Sequence, residues 1–560
     1  MLKTLSELQA YFTAEDKRQW VILLATSLAA GVTQSMSLAV FNGAVAAYGK
    51  GQSNALYFPL VIGLVAIVIG AGYFGAIRGL VVSTRMAIRL RNSLLDKLGA
   101  ANLLLVERVG SSALHYHLMA TIGNLAGAYG TMLGFVTSVV ILACNFIYLG
   151  WLSPPGLAGA IIVSTIGVAV HFRQERLNLE RKRHLDLLTN ETSARHREVI
   201  EGYKELRLSS GKLRDFRARI DQVNDRFLDE RLSVTKVSKT GDLATYFFQF
   251  LMILIVVFLL PLYAKLDAVV IMQLMTAILV TVGPLSGAVG AIPGFTNARI
   301  ALANLRMLQR EIEATREQPG PPSDRQLETF GSLELRGIEF SFGTDGSGDA
   351  FRLGPIDLRI NRGEVVFLVG GNGSGKTVLL RVLTALYHPS KGTILYNGAE
   401  IGPPDRQPYR EQFAAVFSEF HLFRELLGDA SGRAESAEYW LERLGLAEKT
   451  KIRNGAFSSV ALSAGQRKRM AFALAMLEDR ALYVLDEYGA EQDPEQRRRF
   501  YHELIPHLRQ RGKTVIVVTH DDAYFDCADR VVKMDFGRIV NEYLPAGRAA
   551  PPAAPAVAAR

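Results

Sequence analysis

Cysteine is nearly absent from this 560-residue chain. There are two, Cys144 inside an apolar run and Cys527 far downstream, near His520. Thiols so placed build neither a disulfide framework nor a cysteine-ligated metal site, which excludes stapled secreted scaffolds and zinc modules. No short apolar run with a cleavage site precedes residue 20, where Glu7, Glu15 and Asp16 stand instead. Neither a signal nor a transit peptide is expected. Charge is missing too, but only in blocks. Trp20–Ala47 carries no charged side chain, nor do Ala55–Ile77, Leu125–Leu152, Leu243–Ala264 and Ala268–Pro293. A further run, Leu157–Val170, is short unless it begins at Pro154-Pro155. About 20 apolar residues cross a bilayer; one such run could be a buried core helix, but six exclude a soluble globule.

What is present divides unevenly along the chain. A hydrophobic share of 49% and a mean hydropathy of +0.15 stand beside 21% charged residues, the average of two unlike halves. The length suits about two to four domains. The net charge of +9 and pI near 9.3 would fit a nucleic-acid partner or membrane-flanking basic residues. Position decides. The joins Tyr48–Asn54, Trp151–Pro155 and Tyr263–Asp267 are short and hold only Lys50 and Lys265 as basic residues. The long joins are basic, with 17 Lys and Arg against 12 Asp and Glu in residues 171–241, and six against two in 78–125. The positive-inside bias therefore puts the long joins, both termini and the second half in the cytoplasm, with lipid around the spans and no nucleic acid.

The long joins read as helices, because Leu177–Leu188 and Arg214–Leu232 repeat apolar residues at three- and four-residue intervals among charges. Between them, Val199–Leu208 is a candidate short contact helix at a turn, or else a solvated amphipathic segment. Inside the spans stand Gln34, Asn42, Asn145, Gln249 and Gln273, which could touch a substrate or hydrogen-bond between helices. Arg78, at the end of the second run, is expected to reach toward the cytoplasmic surface.

After the sixth run, Arg299–Glu313 reads as a helix leaving the membrane, and Gln318–Ser323 as a Pro/Gly linker. From Gly331 short apolar strands alternate with helices, the α/β pattern. At its centre the strand Glu364–Val369 runs into Gly370-Gly371-Asn372-Gly373-Ser374-Gly375-Lys376-Thr377 and then a helix. Strand, glycine loop and helix are the setting a P-loop needs, with backbone N–H groups and a helix N-terminus converging on phosphate. Lys376 would reach the β and γ phosphates and the Thr377 hydroxyl would ligate Mg²⁺. Leu482–Glu487 is an apolar strand ending in two acids, Asp486 for Mg²⁺ and Glu487 for the attacking water. Leu462-Ser463-Ala464-Gly465-Gln466 opens a helix, a place suited to a γ-phosphate. His520, past the strand Thr514–Val518, could donate to that phosphate or be structural. Phe342 could stack on adenine, although Phe340 or plain core packing competes.

In this order these residues resemble the cassette of ABC transporters, and six spans ahead of it resemble the exporter half-transporter. Ala415–Phe423, Asp486–Pro494 and His520–Phe525, with the P-loop, are similar to those of the cyclic-peptide and siderophore-peptide exporters. The resemblance implies a transmembrane domain over 1–313, a linker over 314–330, an ATP-binding cassette over 331–545 and a low-complexity tail over 546–560. It implies a head-to-tail homodimer in a bacterial inner membrane. ATP and Mg²⁺ would lie between one chain's P-loop and the partner's Leu462–Gln466. Hydrolysis at Glu487, assisted by His520, would reset an outward-turned cavity, exporting a peptide-derived compound with periplasmic or outer-membrane efflux components as candidate partners. Glu201, Tyr203 and Glu205 would carry motion to the membrane, and Asp493 would link the two sites. Lipid or drug export, import and a non-transporting ATP sensor are the alternatives. Three departures stand out: Ser418 where a glutamine is usual, Ala464 where glycine is common, and Glu491-Gln492 where small or apolar residues are usual. Ser418 is too short for both jobs of that glutamine, on Mg²⁺ and on the transport domain, so Glu419 or a water on Ser418 is expected to substitute.

Overall fold

Each charge-free run falls mostly within a helix that continues past it at one end or both. Among the described residues of the computed structural model, 13–263, 266–315, 317, 327–342, 351–428 and 434–545, six helices are long and apolar enough to cross a membrane. They are Ala14–Gly49, Tyr57–Gly99, Ala113–Leu152, Pro154–Asn178, Ser210–Tyr263 and Ala268–Ala314. Helix is the form hydrocarbon dictates, since it satisfies every backbone group within the segment. The Gln318–Ser323 linker and the 546–560 tail lie outside the described residues. The chain divides into two compact units, Met1–Gly99 with Gly110–Glu311, and Ala100–Val109 with Ile312–Arg560.

In the first unit the doubtful fourth run does begin at its prolines. Ser153 caps the helix by accepting from the Gly156 N–H at 3.2 Å, and Pro154 occupies a first-turn position that needs no N–H. The helix then continues unbroken for 48 residues to Glu201. At 1.5 Å per residue that is about 72 Å, more than twice the hydrocarbon thickness. It pairs with Ser210–Leu254, with Asn178 Nδ2 donating to Val234 O at 3.0 Å and to Ser238 Oγ at 2.9 Å. At the tip, Gly202 ends one helix, Tyr203–Arg207 forms a short one, and Ser209 caps the next. The tip exposes Ile200 and Leu208 at 77% and 88%.

Asn42, Asn145, Gln249 and Gln273 within the spans have partners on other helices. Ser35 Oγ donates to Asn145 Oδ1 at 2.8 Å. Asn42 Nδ2 donates to Tyr148 OH at 3.0 Å, Thr276 Oγ1 donates to Asn42 Oδ1 at 2.7 Å, and Gln273 Nε2 donates to Asn42 O at 3.1 Å. Arg78 reaches Gln19 at 3.4 Å. Interhelix hydrogen bonding is therefore the occupation of Asn42, Asn145 and Gln273.

The second unit holds two larger sheets. β1 (Ser332–Ser341), β2 (Arg352–Asn361), β4 (Lys391–Tyr396) and β5 (Ala399–Glu400) form an antiparallel sheet in the order β2-β1-β4-β5. β3 (Val365–Gly370), β6 (Phe413–Val416), β9 (Leu482–Asp486), β10 (Thr514–Val518), β11 (Arg530–Asp535) and β12 (Arg538–Tyr543) form the other. Its order is β12-β11-β3-β10-β9-β6, parallel except at β12. The short pair Ile452–Arg453 and Ala456–Phe457 supplies β7 and β8. β9 and β10 are buried throughout, which explains their unbroken apolar sequences. In such sheets ligands sit beyond the carboxyl ends of the strands, and here Gly370, Asp486 and Val518 end β3, β9 and β10.

A segment from between the second and third spans, Ala100–Val109, belongs to this unit, which nothing in its local sequence signals. The helix Leu103–Val109 packs Leu103 and Leu104 on the core that contains Phe340 and Tyr387. Glu107 accepts from the Tyr387 hydroxyl and pairs with Arg381 at 3.1 Å. Beside it Glu317 donates its backbone N–H to Ala100 O at 3.0 Å. Its carboxylate takes a two-pronged grip from Arg410 at 2.6 and 2.7 Å, and His388 Nε2 lies 3.1 Å away.

Burial alone would raise the Glu317 carboxyl, but the hydrogen bonds from His388 and Arg410 outweigh it and hold the pKa at about 2, below the ordinary 4.5. A depressed carboxylate stabilises above its unfolded pKa and loses that contribution as pH falls through the folded value. The window is thus pH 4.5 down to about 2. Glu317→Gln is expected to cost about 3 kcal/mol at neutral pH and to flatten acid unfolding within that window. Melting curves of the detergent-solubilised protein against pH measure both; an unchanged acid limb contradicts the assignment.

Candidate ATP site

The P-loop leaves β3 at Gly370, where no other residue fits. Its φ is +155°, and a Cβ there would stand 2.2 Å from the backbone oxygen of Met534 on neighbouring β11. The loop is closed by Ser374 N–H to Gly371 O at 3.2 Å and braced by Gly537 N–H to Ser374 O at 3.0 Å. The helix Lys376–Leu383 follows directly. Lys376 is buried, and its Nζ donates to Gly370 O and Gly371 O, both at 2.9 Å. Burial pulls its ammonium below the usual pKa, and Glu487 and Asp486 nearby oppose that. The ammonium can thus trade two carbonyls for phosphate oxygens without leaving the loop.

Asp486 is fully buried at the end of β9. Its Oδ2 accepts from Thr377 Oγ1 at 3.1 Å and from the Ser418 backbone N–H at 3.3 Å, while its Oδ1 has no hydrogen-bond partner. A buried carboxylate oxygen left without a donor is costly in isolation. With the Thr377 hydroxyl beside it, the donor set is the all-oxygen kind that suits Mg²⁺. Ser418 is placed by its backbone, and Glu419 next to it is exposed.

Glu487 follows with φ +51° and ψ +36°, left-handed backbone that costs a non-glycine residue about 1–3 kcal/mol. Three hydrogen bonds hold it there. Its N–H donates to Val518 O at 3.0 Å, and its carbonyl accepts from Ala490 N–H at 3.2 Å and Lys468 Nζ at 2.9 Å. His520 Nε2 lies 3.5 Å from Glu487 Oε1. The turn carrying His520 is braced by Tyr501, whose hydroxyl meets Thr519 Oγ1 at 2.6 Å and Asp521 Oδ2 at 2.9 Å.

A cavity of about 480 Å³ runs between these groups. Phe342 and Phe351 line one part, and Lys376, Thr377 and Glu487 another. Phe342 is 37% exposed and lines the cavity, whereas Phe340 is 3% exposed and does not. Phe340 stacks on Tyr387 in the core, and the Phe342 ring lies T-shaped to Phe340 at 5.2 Å. Phe351 was missed from sequence. It opens β2 beyond residues 343–350, which lie outside the described residues, and its ring covers Gly375, where a Cβ would meet it at 2.6 Å.

The structure does not bring every candidate here. Ser463 caps the helix Ala464–Glu478 in a reciprocal box with Gln466, yet none of Leu462, Ser463, Ala464, Gly465 or Gln466 lines the cavity. Asp493 accepts from the Gln496 N–H at 2.9 Å as cap of Pro494–Arg499. Glu201, Tyr203 and Glu205 are exposed in the first unit.

Comparison with known proteins agrees with this arrangement. A family model described as ABC transporter matches residues 353–490. The ATP-binding protein SyrD of Pseudomonas syringae pv. syringae is 34% identical over 538 residues, covering 93% of each chain. An ATP-dependent lipid A-core flippase of Ralstonia nicotianae is 27% identical, covering 86% of this chain and 83% of its own. A solved bacterial Atm1-family ABC exporter with ATP bound has the same fold, with a TM-score of 0.78 at 17% identity over 95% of this chain and 96% of its own.

Two substitutions separate the phosphate end from the base end. Gly370→Ala forces β11 and the P-loop apart and is expected to weaken ATP binding by at least about 10-fold. Phe342→Ala removes one stacked ring, expected to weaken ATP about 10-fold while leaving inorganic triphosphate binding unchanged. Equilibrium binding of the two ligands reads both; equal losses for ATP and triphosphate in Phe342→Ala would remove that ring from the base site.

Proposed function

Because the chain belongs to the ABC transporters, of the exporter type, and couples ATP hydrolysis to transport, we propose that it works as a homodimer exporting a peptide-derived compound. The observation that carries the dimer is the incomplete site. The cavity is lined by P-loop residues and Glu487 but by none of the Ser463–Gln466 donors, which supports a second chain supplying them. In that arrangement Lys376 and the P-loop amides bind the phosphates, and Phe342 takes the base. Thr377 and Asp486, with Ser418 beside them, hold Mg²⁺, which would neutralise charge on the phosphate oxygens. Glu487 orients and polarises the water, and His520 donates toward the γ-phosphate. Glu201, Tyr203 and Glu205 at the exposed tip pass the motion to the spans, and Asp493 lies between the two sites.

The substrate class rests on the resemblance of Ala415–Phe423, Asp486–Pro494 and His520–Phe525 to the cyclic-peptide and siderophore-peptide exporters. A lipid-linked substrate is the second reading, favoured by the flippases that match along most of the chain. The membrane in this reading is the bacterial inner membrane, with both termini and the ATPase unit in the cytoplasm, an orientation that the basic long joins support. Glu487→Gln is expected to bind ATP normally, to lose at least about 100-fold in turnover and to hold ATP in a dimer. Unchanged turnover removes Glu487 from its role. ATP-driven uptake into inverted vesicles, run with lipopeptides and with lipid A, decides substrate class and direction together.

A further inference from the structure

The helix that begins at Ser463 is tied to the catalytic strand of its own chain by contacts the ATP cavity does not use. Lys468, on the second turn, is 2% exposed, and its Nζ donates to the Glu487 carbonyl at 2.9 Å. The Glu491 carboxylate lies 3.7 Å from the same ammonium. On the first turn Gly465 O accepts from Gln492 Nε2 at 3.1 Å, and Gln492 is itself buried. Gly465 also packs directly on the chain after Glu487, since a Cβ there would stand 2.5 Å from Glu491 O. Glu491 and Gln492, which look out of place in the sequence, are thus the residues facing Lys468 and Gly465. A buried ammonium demands such partners, and this one takes the carbonyl of the residue that orients the attacking water.

We propose that Lys468 is a positioning residue that sets Glu487 according to the placement of its own Ser463 helix. The inference rests on the shared-site dimer. There, Ser463 and Gly465 serve the ATP held by the partner, while Glu487 serves the ATP held by its own P-loop. Ala464–Glu478 is one uninterrupted helix, so Ser463 cannot shift onto the partner's phosphate without carrying Lys468. Lys468 then moves the Glu487 carbonyl, and with it a residue whose left-handed backbone is stable only while its hydrogen bonds hold. Occupation of one ATP site in this way readies the general base of the other. Ser463 and Lys468 need no contact with each other, since the helix links them.

The test uses the full-length protein in nanodiscs. Lys468→Met keeps the length of the side chain and removes the donor. Its ATP affinity is expected to stay within about 2-fold, its kcat to fall at least about 10-fold, and its Hill coefficient for ATP to drop to about 1. Lys468→Gln, which keeps a donor, is expected to recover part of the kcat and of the cooperativity. Wild-type kcat and Hill coefficient in Lys468→Met overturn the proposal. So does a kcat loss matched by equal losses in ATP affinity and melting temperature, the mark of a packing role. Should Lys468→Met not fold, Lys468→Gln carries the test: its kcat and Hill coefficient must fall below wild type with ATP affinity unchanged, and wild-type values there are equally decisive. ATP-dependent dimerisation of Glu487→Gln, read by cross-linking, reports on the shared site alone. A dimer there with wild-type cooperativity in Lys468→Met defeats this inference and leaves the dimer standing, whereas no dimer defeats the premise.

Discussion

Asp486 is a carboxylate with no access to water, and the ATP site is arranged around the cost of keeping it there. Its strand is buried on both faces, so nothing but the strand ends and the P-loop can compensate it. Thr377 and the Ser418 backbone occupy one oxygen and leave the other open. That half-satisfied state is unfavourable for an isolated protein and suits one that takes a hard cation with its nucleotide. The glycine loop meets the same constraint from the other side. Gly370 lets β3 run flush against β11, which brings Lys376 close enough to the two acids for them to bear on its ammonium.

The first unit solves a parallel problem with uncharged groups. Hydrocarbon gives an amide nothing to bond, so Asn42, Asn145 and Gln273 bond to one another's helices. Their geometry ties the first span to the third and the sixth. The same requirement accounts for the unbroken helices. Once a helix has started at Ser153 and Pro154, interrupting it inside the bilayer would expose backbone groups, and continuing it past the surface costs little when Asn178 and its neighbours pair it with the return helix.

The six spans and the phosphate site were legible in the sequence because each is signalled locally. A run of uncharged residues and a spaced set of glycines need no knowledge of the rest of the chain. The short helix at Tyr203–Arg207 was legible for the same reason, being bracketed by Gly202 and Ser209. What was not legible depends on residues far apart in sequence. Leu103–Val109 looks like any amphipathic turn, and only Tyr387 and Arg381, some 280 positions away, make it part of the second unit. That Phe340 is buried in the core while Phe342, just past the end of β1, is half-exposed was not legible either, since two-residue alternation alone would put both on the same face.

The departures from the usual cassette pattern show why reading motifs residue by residue has a limit. Glu491 and Gln492 look like defects when the segment after Asp486 is read alone, and Lys468 looks like an ordinary polar residue on a helix. In space they are one set. Lys468 is a buried cation that needs the Glu487 carbonyl, and Glu491 is the carboxylate nearest to its charge. Gln492 satisfies a first-turn carbonyl on the same helix. Removing Gln492 takes a donor from the Gly465 carbonyl, and removing Glu491 takes away a carboxylate 3.7 Å from the Lys468 ammonium. The unusual residues therefore belong to the connection between the two halves of the site, and they bear on how a second chain would be felt at Glu487.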